Sequence, residues 1–229
     1  MRTLKQYFLL SLLLFPAIPT YALTLVHSAA GTYRDQAGPS GTIGTGDGFF
    51  SELSVFQAGN FPNAGPVGVE DRGFVEFDIS SAPMISSAIL TFTLARNDGS
   101  LDNTYQVYGY SGDGVVNLSS GDFNAGSLVG GFVVGSQARG TTFSVDVTSI
   151  VMSLISNNDT HAGFGLRSLP QSSFNEFELW GVGPQFASEA NPLSPFPTLT
   201  LTPVPLPAAA WLFLTAIGGL FGMRKLKAS

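Results

Sequence analysis

The sequence predicts an all-β domain, an antiparallel β-sandwich with one short helix, flanked by an N-terminal signal helix and a C-terminal transmembrane helix. Three observations carry this. Charged residues make up only 11% of the 229, while glycine numbers 27 and phenylalanine 19; helical surfaces usually carry far more lysine and glutamate. Runs with alternating apolar and polar residues recur between residues 23 and 203, the pattern of half-buried strands. Clusters of Gly, Asn, Asp and Ser separate those runs, as at Asn97-Asp98-Gly99 and Ser111-Gly112-Asp113-Gly114, where turns form most easily.

The elements follow in chain order. Residues 1–22 read MRTLKQYFLLSLLLFPAIPTYA. A basic start, an apolar run from Tyr7 to Phe15 and small residues ending at Ala22 make the order of a secretory signal, with cleavage expected after Ala22. The run is shorter than the ~20 residues needed to span a bilayer. The body, 23–203, opens its clearest pattern at RGFVEFDI, where Val75, Phe77 and Ile79 share one strand face and Glu76 and Asp78 the other. In SAILTFTLA, Leu90, Phe92 and Leu94 oppose Thr91 and Thr93. TYQVYGY, TTFSVDV, AGFGLR, EFELW and PTLTLT repeat the alternation. Residues 148–157, TSIVMSLISN, instead place Ile150, Val151, Leu154 and Ile155 at helical spacing. Thr148 is the expected N-cap and Asn157-Asn158 the expected stop.

Residues 204–229 form the tail. From Ala208 to Met223 there are 16 uncharged residues, about 24 Å of helix against a ~30 Å hydrocarbon core. Bilayer thinning or snorkelling side chains cover the difference. Trp211 lies at interfacial depth, and Arg224, Lys225 and Lys227 follow as a cytoplasmic basic anchor. Pro203, Pro205 and Pro207 keep the approach to the helix extended.

The tail carries a family resemblance. Val204-Pro205-Leu206-Pro207, then AAAWLF and the basic cluster, resemble the PEP-CTERM sorting signal. Leu206 stands where the namesake pattern has Glu. The resemblance implies that exosortase, a membrane-embedded cysteine protease, processes the chain at the bacterial inner membrane. The product then reaches the cell surface or extracellular space, associated with exopolysaccharide or biofilm. A plain single-span anchor is the alternative.

The body carries a second resemblance. RGFVEFDISSAPMISSAILTFTL, with Arg72, Phe77, Asp78, Ile79, Ser80 and Pro83 and then Ser87, Ala88 and Leu90, is similar to the strand pair of DNRLRE-type and related carbohydrate-binding-module-like jelly rolls. FSVDVTSIVMSLISNNDTHAGFGLRS and FASEANPLSPFPTLTLT resemble later phrases of that domain. The matches span most of residues 72–202, whereas residues 30–71 match poorly. A jelly roll with a surface, adhesive or glycan-associated role is what this resemblance implies.

Composition narrows function. The body holds five arginines, no lysine and all 16 acids, a net −11, which repels nucleic-acid phosphates and excludes nucleic-acid binding. Without cysteine there is no disulfide, thiolate nucleophile or cysteine-based zinc site. GTIGTGDG at 41–48 lacks the lysine of a phosphate loop, and no other cofactor motif stands out. His27 and His161 pair with no serine motif, so no catalytic residue is assigned. Carboxylates at Glu76 and Asp78, or Glu176 and Glu178, share a strand face as a hydrolase pair would, although such acids are usually just solvated. Residues 109–120 match a calcium loop only at Asp113, Gly114 and Asn117; Gly109 and Ser120 stand where ligand acids belong. Acids such as Asp35, Asp47, Asp71 and Glu189 are expected in loops, where they either gather a structural calcium or keep a low-charge surface soluble. Tyr108, Tyr110 and Trp180 lie opposite the apolar faces of their strands and form a candidate glycan platform, unless loops pack on them. Asn117-Leu118-Ser119 and Asn158-Asp159-Thr160 fit glycosylation sequons.

The leading expectation is therefore a non-enzymatic, exported surface or matrix protein. A carbohydrate-binding module and a polysaccharide hydrolase are the alternatives.

Overall fold

Alternation of apolar and polar residues has one stable outcome when the strands are numerous: two sheets that bury their apolar faces against each other. A computed structural model describes residues 21–36, 50–52, 56–57, 59–61, 69–96, 103–116, 125–138, 140–169, 185–186 and 196–205, and these form a two-sheet antiparallel β-sandwich. The strands are β1 (Leu23–Val26), β2 (Ala29–Gln36), β3 (Phe50–Glu52), β4 (Phe56–Gln57), β5 (Gly59–Phe61), β6 (Val69–Asp78), β7 (Ile85–Arg96), β8 (Asn103–Gly112), β9 (Ser127–Val134), β10 (Thr142–Asp146), β11 (His161–Ser168), β12 (Gln185–Phe186) and β13 (Thr198–Pro203), with helix α1 (Thr148–Ser156) between β10 and β11. The first sheet runs β1-β13-β7-β12-β4, with β10 paired to β7. The second runs β3-β2-β6-β11-β8-β9, with β5 paired to β6. Successive strands β6, β7 and β8 cross between the sheets, as in a jelly roll. Residues 22–203 form one compact unit. Of the residues outside it, Tyr21, Val204 and Pro205 are described.

The core follows the alternation. Val75 and Phe77 from β6, Leu90, Phe92 and Leu94 from β7, Phe164 and Leu166 from β11, and Leu199 and Leu201 from β13 are all fully buried. Each such side chain contributes about 1.5–3 kcal/mol by leaving water. Phe77 and Phe164 meet edge to face at 6.1 Å, the favoured aromatic geometry. Where β9 and β10 bring the two sheets together, Phe132 stacks on Phe143 at 4.7 Å and also meets Phe92 at 5.7 Å and Tyr105 at 5.8 Å. That aromatic group closes one side of the sandwich.

Helix α1 covers the core with Val151 and Leu154 buried and Ile150 and Ile155 packed beside them. Its start differs from the expected Thr148 cap. Val147 is the N-cap and makes no side-chain capping bond. Asp146 does that work from one position earlier, accepting the Thr148 amide at 2.9 Å and the Thr148 hydroxyl at 2.6 Å. The Thr148 oxygen in turn accepts the Ala88 amide at 2.9 Å and so ties the helix to β7. The helix stops at the asparagine pair. Asn158 takes a φ of 61°, its amide donates to the Ile155 carbonyl, and the Asp159 amide donates to the Leu154 carbonyl. These two bonds close the last turn in a Schellman motif, for which asparagine is a common substitute for glycine.

The expected strand EFELW, the signal run and the apolar tail 208–223 lie outside the described residues. No helix among the described residues is long and apolar enough to cross a membrane.

Candidate functional site

The two sheets turn chemically different outer faces outward. On the second sheet, the inward places of β6 and β8 go to Val75, Phe77, Tyr105 and Val107, so the period of two sends Phe74, Glu76, Tyr108 and Tyr110 outward. Register then sets them in rows. Ala29, Glu76, Gly163 and Tyr110 lie side by side across four strands, and so do Gly31, Phe74, Gly165 and Tyr108.

Much of this face is covered. Tyr33, Phe74, Tyr110 and Val116 form a second buried apolar cluster. Glu76 is only 1% exposed, which corrects the expectation of a solvated strand carboxylate. Its Oε2 accepts the Gly114 amide at 2.7 Å, so the turn after β8 lies over it. Two glycines make the room. A Cβ at Gly112 would fall 2.6 Å from the Glu76 carboxylate, and one at Gly163 would fall 2.4 Å from the Tyr110 ring. The Asp113 carboxylate accepts the Val115 amide at 2.9 Å and shapes the same turn. Asp78, two residues on, is exposed at the strand end. It accepts the Ser80 amide at 2.9 Å. Hydrogen bonds from Ser80, with a contribution from His161, hold its carboxyl below the usual aspartate range. Glu76 and Asp78 therefore share a face but stand in different surroundings, one covered and one open.

The tyrosines also separate. Tyr110 is 9% exposed and packs in the covered cluster, so it corrects the expectation of an open aromatic platform. Tyr108 is half-buried, with the Arg167 guanidinium 3.8 Å from its ring centroid and its hydroxyl donating to Gln106 at 3.0 Å. Arg167 also donates to the Ala125 carbonyl at 2.8 Å. The cation over Tyr108 had no signature in the sequence beyond alternation in HAGFGLRS. Trp180, Glu176 and Glu178 lie outside the described residues.

The remaining sites divide likewise. Asp71 is not a loop acid but part of β6, with no exposed surface. Asp35 falls within β2, and Asp47, Asn117, Ser120 and Glu189 lie outside the described residues. Among the described residues, no group of three or more His, Asp or Glu converges on a metal-sized space. Ala22 is exposed and directly precedes β1. At the other end β13 closes at Pro203, and Val204, 43% exposed, and Pro205 follow in the open. Leu206, Pro207, Arg224, Lys225 and Lys227 lie outside the described residues.

The outer face of the first sheet carries hydroxyls. Leu199 and Leu201 point into the core, so Thr198, Thr200 and Thr202 point out. Thr200 lies between Thr24 of β1 and Ile89 of β7. Thr198 lies between Val26 and Thr91, and Thr91 lies beside Ser144 of β10. The Thr24 and Thr200 hydroxyls are 3.5 Å apart and those of Thr91 and Ser144 are 3.3 Å apart. The repeats TLTLT and TFT are the sequence signal for this face.

No protein-family model and no curated protein matches the chain. Among solved structures the chain is similar to the K1 cleaved adhesin domain of Lys-gingipain from Porphyromonas gingivalis W83. The two share 15% identity over 81% of this chain and 89% of that chain, at a TM-score of 0.27.

Proposed function

We propose that this chain is an exported, non-enzymatic β-sandwich protein of the bacterial surface or extracellular matrix. Residues 1–22 deliver it through the Sec pathway, the 208–223 segment halts it in the inner membrane, and exosortase processes it at the tail. Exopolysaccharide is its surroundings. The observation that carries the reading is the order at the chain's end: Val204-Pro205-Leu206-Pro207, then 16 uncharged residues, then Arg224, Lys225 and Lys227. A processing enzyme needs an extended, accessible segment, and the exposure of Val204 and Pro205 directly after β13 supports that. The prolines keep such a segment from joining a helix.

The non-catalytic part of the proposal draws on Glu76. A hydrolytic pair needs two carboxyl groups facing one open site, about 5–10 Å apart. Glu76 is covered and holds the Gly114 amide, which supports a structural role for it.

Intact-mass measurement of the protein recovered from its cells tests the proposal. The expected mass lacks residues 1–22 and the residues after the Pro-x-Pro motif in cells with active exosortase, and keeps the tail when exosortase is inactivated. A mass that retains Met1 would overturn export by a cleaved signal. A tail retained in both backgrounds would overturn sorting.

A further inference from the structure

We propose that the outer face of the first sheet docks a neutral, hydroxyl-rich polysaccharide. The inference rests on the matrix reading above and assigns a binding surface to it. The surface is the array of Thr24, Thr91, Ser144, Thr198, Thr200 and Thr202, placed by the pairing of β1, β13, β7 and β10.

Charge selects the class of partner. The body is net −11, yet the single charged side chain in these rows is Asp146, opposite Ile89 at the margin. Its carboxylate is already engaged by Thr148. An anionic polymer is repelled by the body as a whole. A cationic one finds no row of carboxylates here. A neutral polymer avoids both penalties. A face that needed only to stay wet would be served as well by lysine and glutamate, the usual residues of solvated sheet faces. Hydroxyls cost far less to desolvate than charges do when a partner settles on them.

Geometry suits an extended polymer. Rows repeat at about 4.8 Å between strands and roughly 6.8 Å along a strand, so donors and acceptors recur in two directions. Each hydroxyl brings one donor and two acceptor lone pairs. The Thr24–Thr200 and Thr91–Ser144 pairs each use one hydrogen and one lone pair internally, which leaves one donor and three acceptor positions per pair for sugar hydroxyls. Threonine is stiff at χ1, so the array gives up little side-chain entropy on docking. Its methyl groups and the neighbouring Ile89 and Val26 offer apolar contact to the C–H faces of the sugar rings.

Affinity gel electrophoresis of the full-length chain in detergent tests this. The gels carry dextran, hydroxyethylcellulose or laminarin, with alginate as the anionic control. Retardation by at least one neutral polymer is expected, none by alginate, and no weakening at about 0.5 M salt, where screening acts within a few ångströms. The pair Thr91→Lys and Thr200→Lys should lose about tenfold in affinity or more. The pair Thr91→Val and Thr200→Val keeps the branched shape and strand preference and should lose binding with an unchanged melting temperature. Tyr108→Ala, on the other sheet, should bind as the parent does. Three outcomes overturn the proposal: no retardation by any of the three polymers, full binding by the valine pair, or loss only in Tyr108→Ala. A correct intact mass alongside any of these leaves the sorting proposal standing and removes only the docking surface.

Discussion

Tyr110 lies in a space that exists because residue 163 has no side chain. The Gly163 Cα sits beneath the ring, and an added Cβ would fall 2.4 Å from its Cε2 and Cζ atoms. The ring has no easy retreat, since it packs with Tyr33, Phe74 and Val116 in a buried cluster. Gly163→Ala should therefore destabilise the protein by about 1–3 kcal/mol, the range for overpacking. Urea denaturation checks this, and a change below about 0.5 kcal/mol would show that the ring moves freely. Glu76 is the same lesson in polar form. Strand alternation in FVEFDI placed its side chain on the outer face correctly. It could not tell that the turn at 113–116 lies over that face and supplies an amide to the carboxylate. Burial of an outward residue depends on which distant segment covers it, and no local pattern encodes that.

At the scale of the element, α1 was legible in its middle and less so at its start. The apolar spacing of Val151 and Leu154 gave the buried stripe, and Asn157-Asn158 gave the stop. The N-cap falls at Val147, one residue before the expected Thr148, because the hydroxyl of Thr148 turns to β7 and Asp146, leaving the first-turn amide to the carboxylate. Asp146 therefore couples the helix start to pH. The Thr148 hydroxyl and amide, in that order, hold its carboxyl below the ordinary value of 3.8. A carboxyl lowered in the folded state contributes stability that is fully present above 3.8 and is lost as pH falls through the folded value. Asp146→Ala removes that contribution. The gap in urea midpoint between the parent and the variant should be open at neutral pH and close progressively as pH falls below 3.8. A gap that stays constant down to that acid range would mean that Asp146 acts only through packing.

For the whole molecule, sequence alternation yielded the sandwich class but not which strands pair, since β13 joins β1 and β7 across more than a hundred residues of chain. The two outer faces became distinct only once that pairing set the threonines in rows. The closure beside β9 and β10 follows from two other pairings, β10 with β7 and β9 with β8, and neither strand's own pattern marks Phe132 as special. Phe132 touches Phe92 and Phe143 from one sheet and Tyr105 from the other, so its ring fastens the two layers together. Phe132→Ala should cost about 3 kcal/mol, the low end for truncating a core phenylalanine because this ring is half-buried. Phe143→Ala should cost less, and the double variant should lose less than the two singles added, with a coupling of about 0.5–1.5 kcal/mol for the stacked pair. The urea slope should stay unchanged in all three, because the same surface is exposed when the sandwich unfolds as a unit. A Phe132→Ala cost below about 1 kcal/mol would place the fastening elsewhere. A fall in the slope for that variant alone would instead mean that the layers separate before they unfold, and that the aromatic closure is what makes the sandwich one cooperative body.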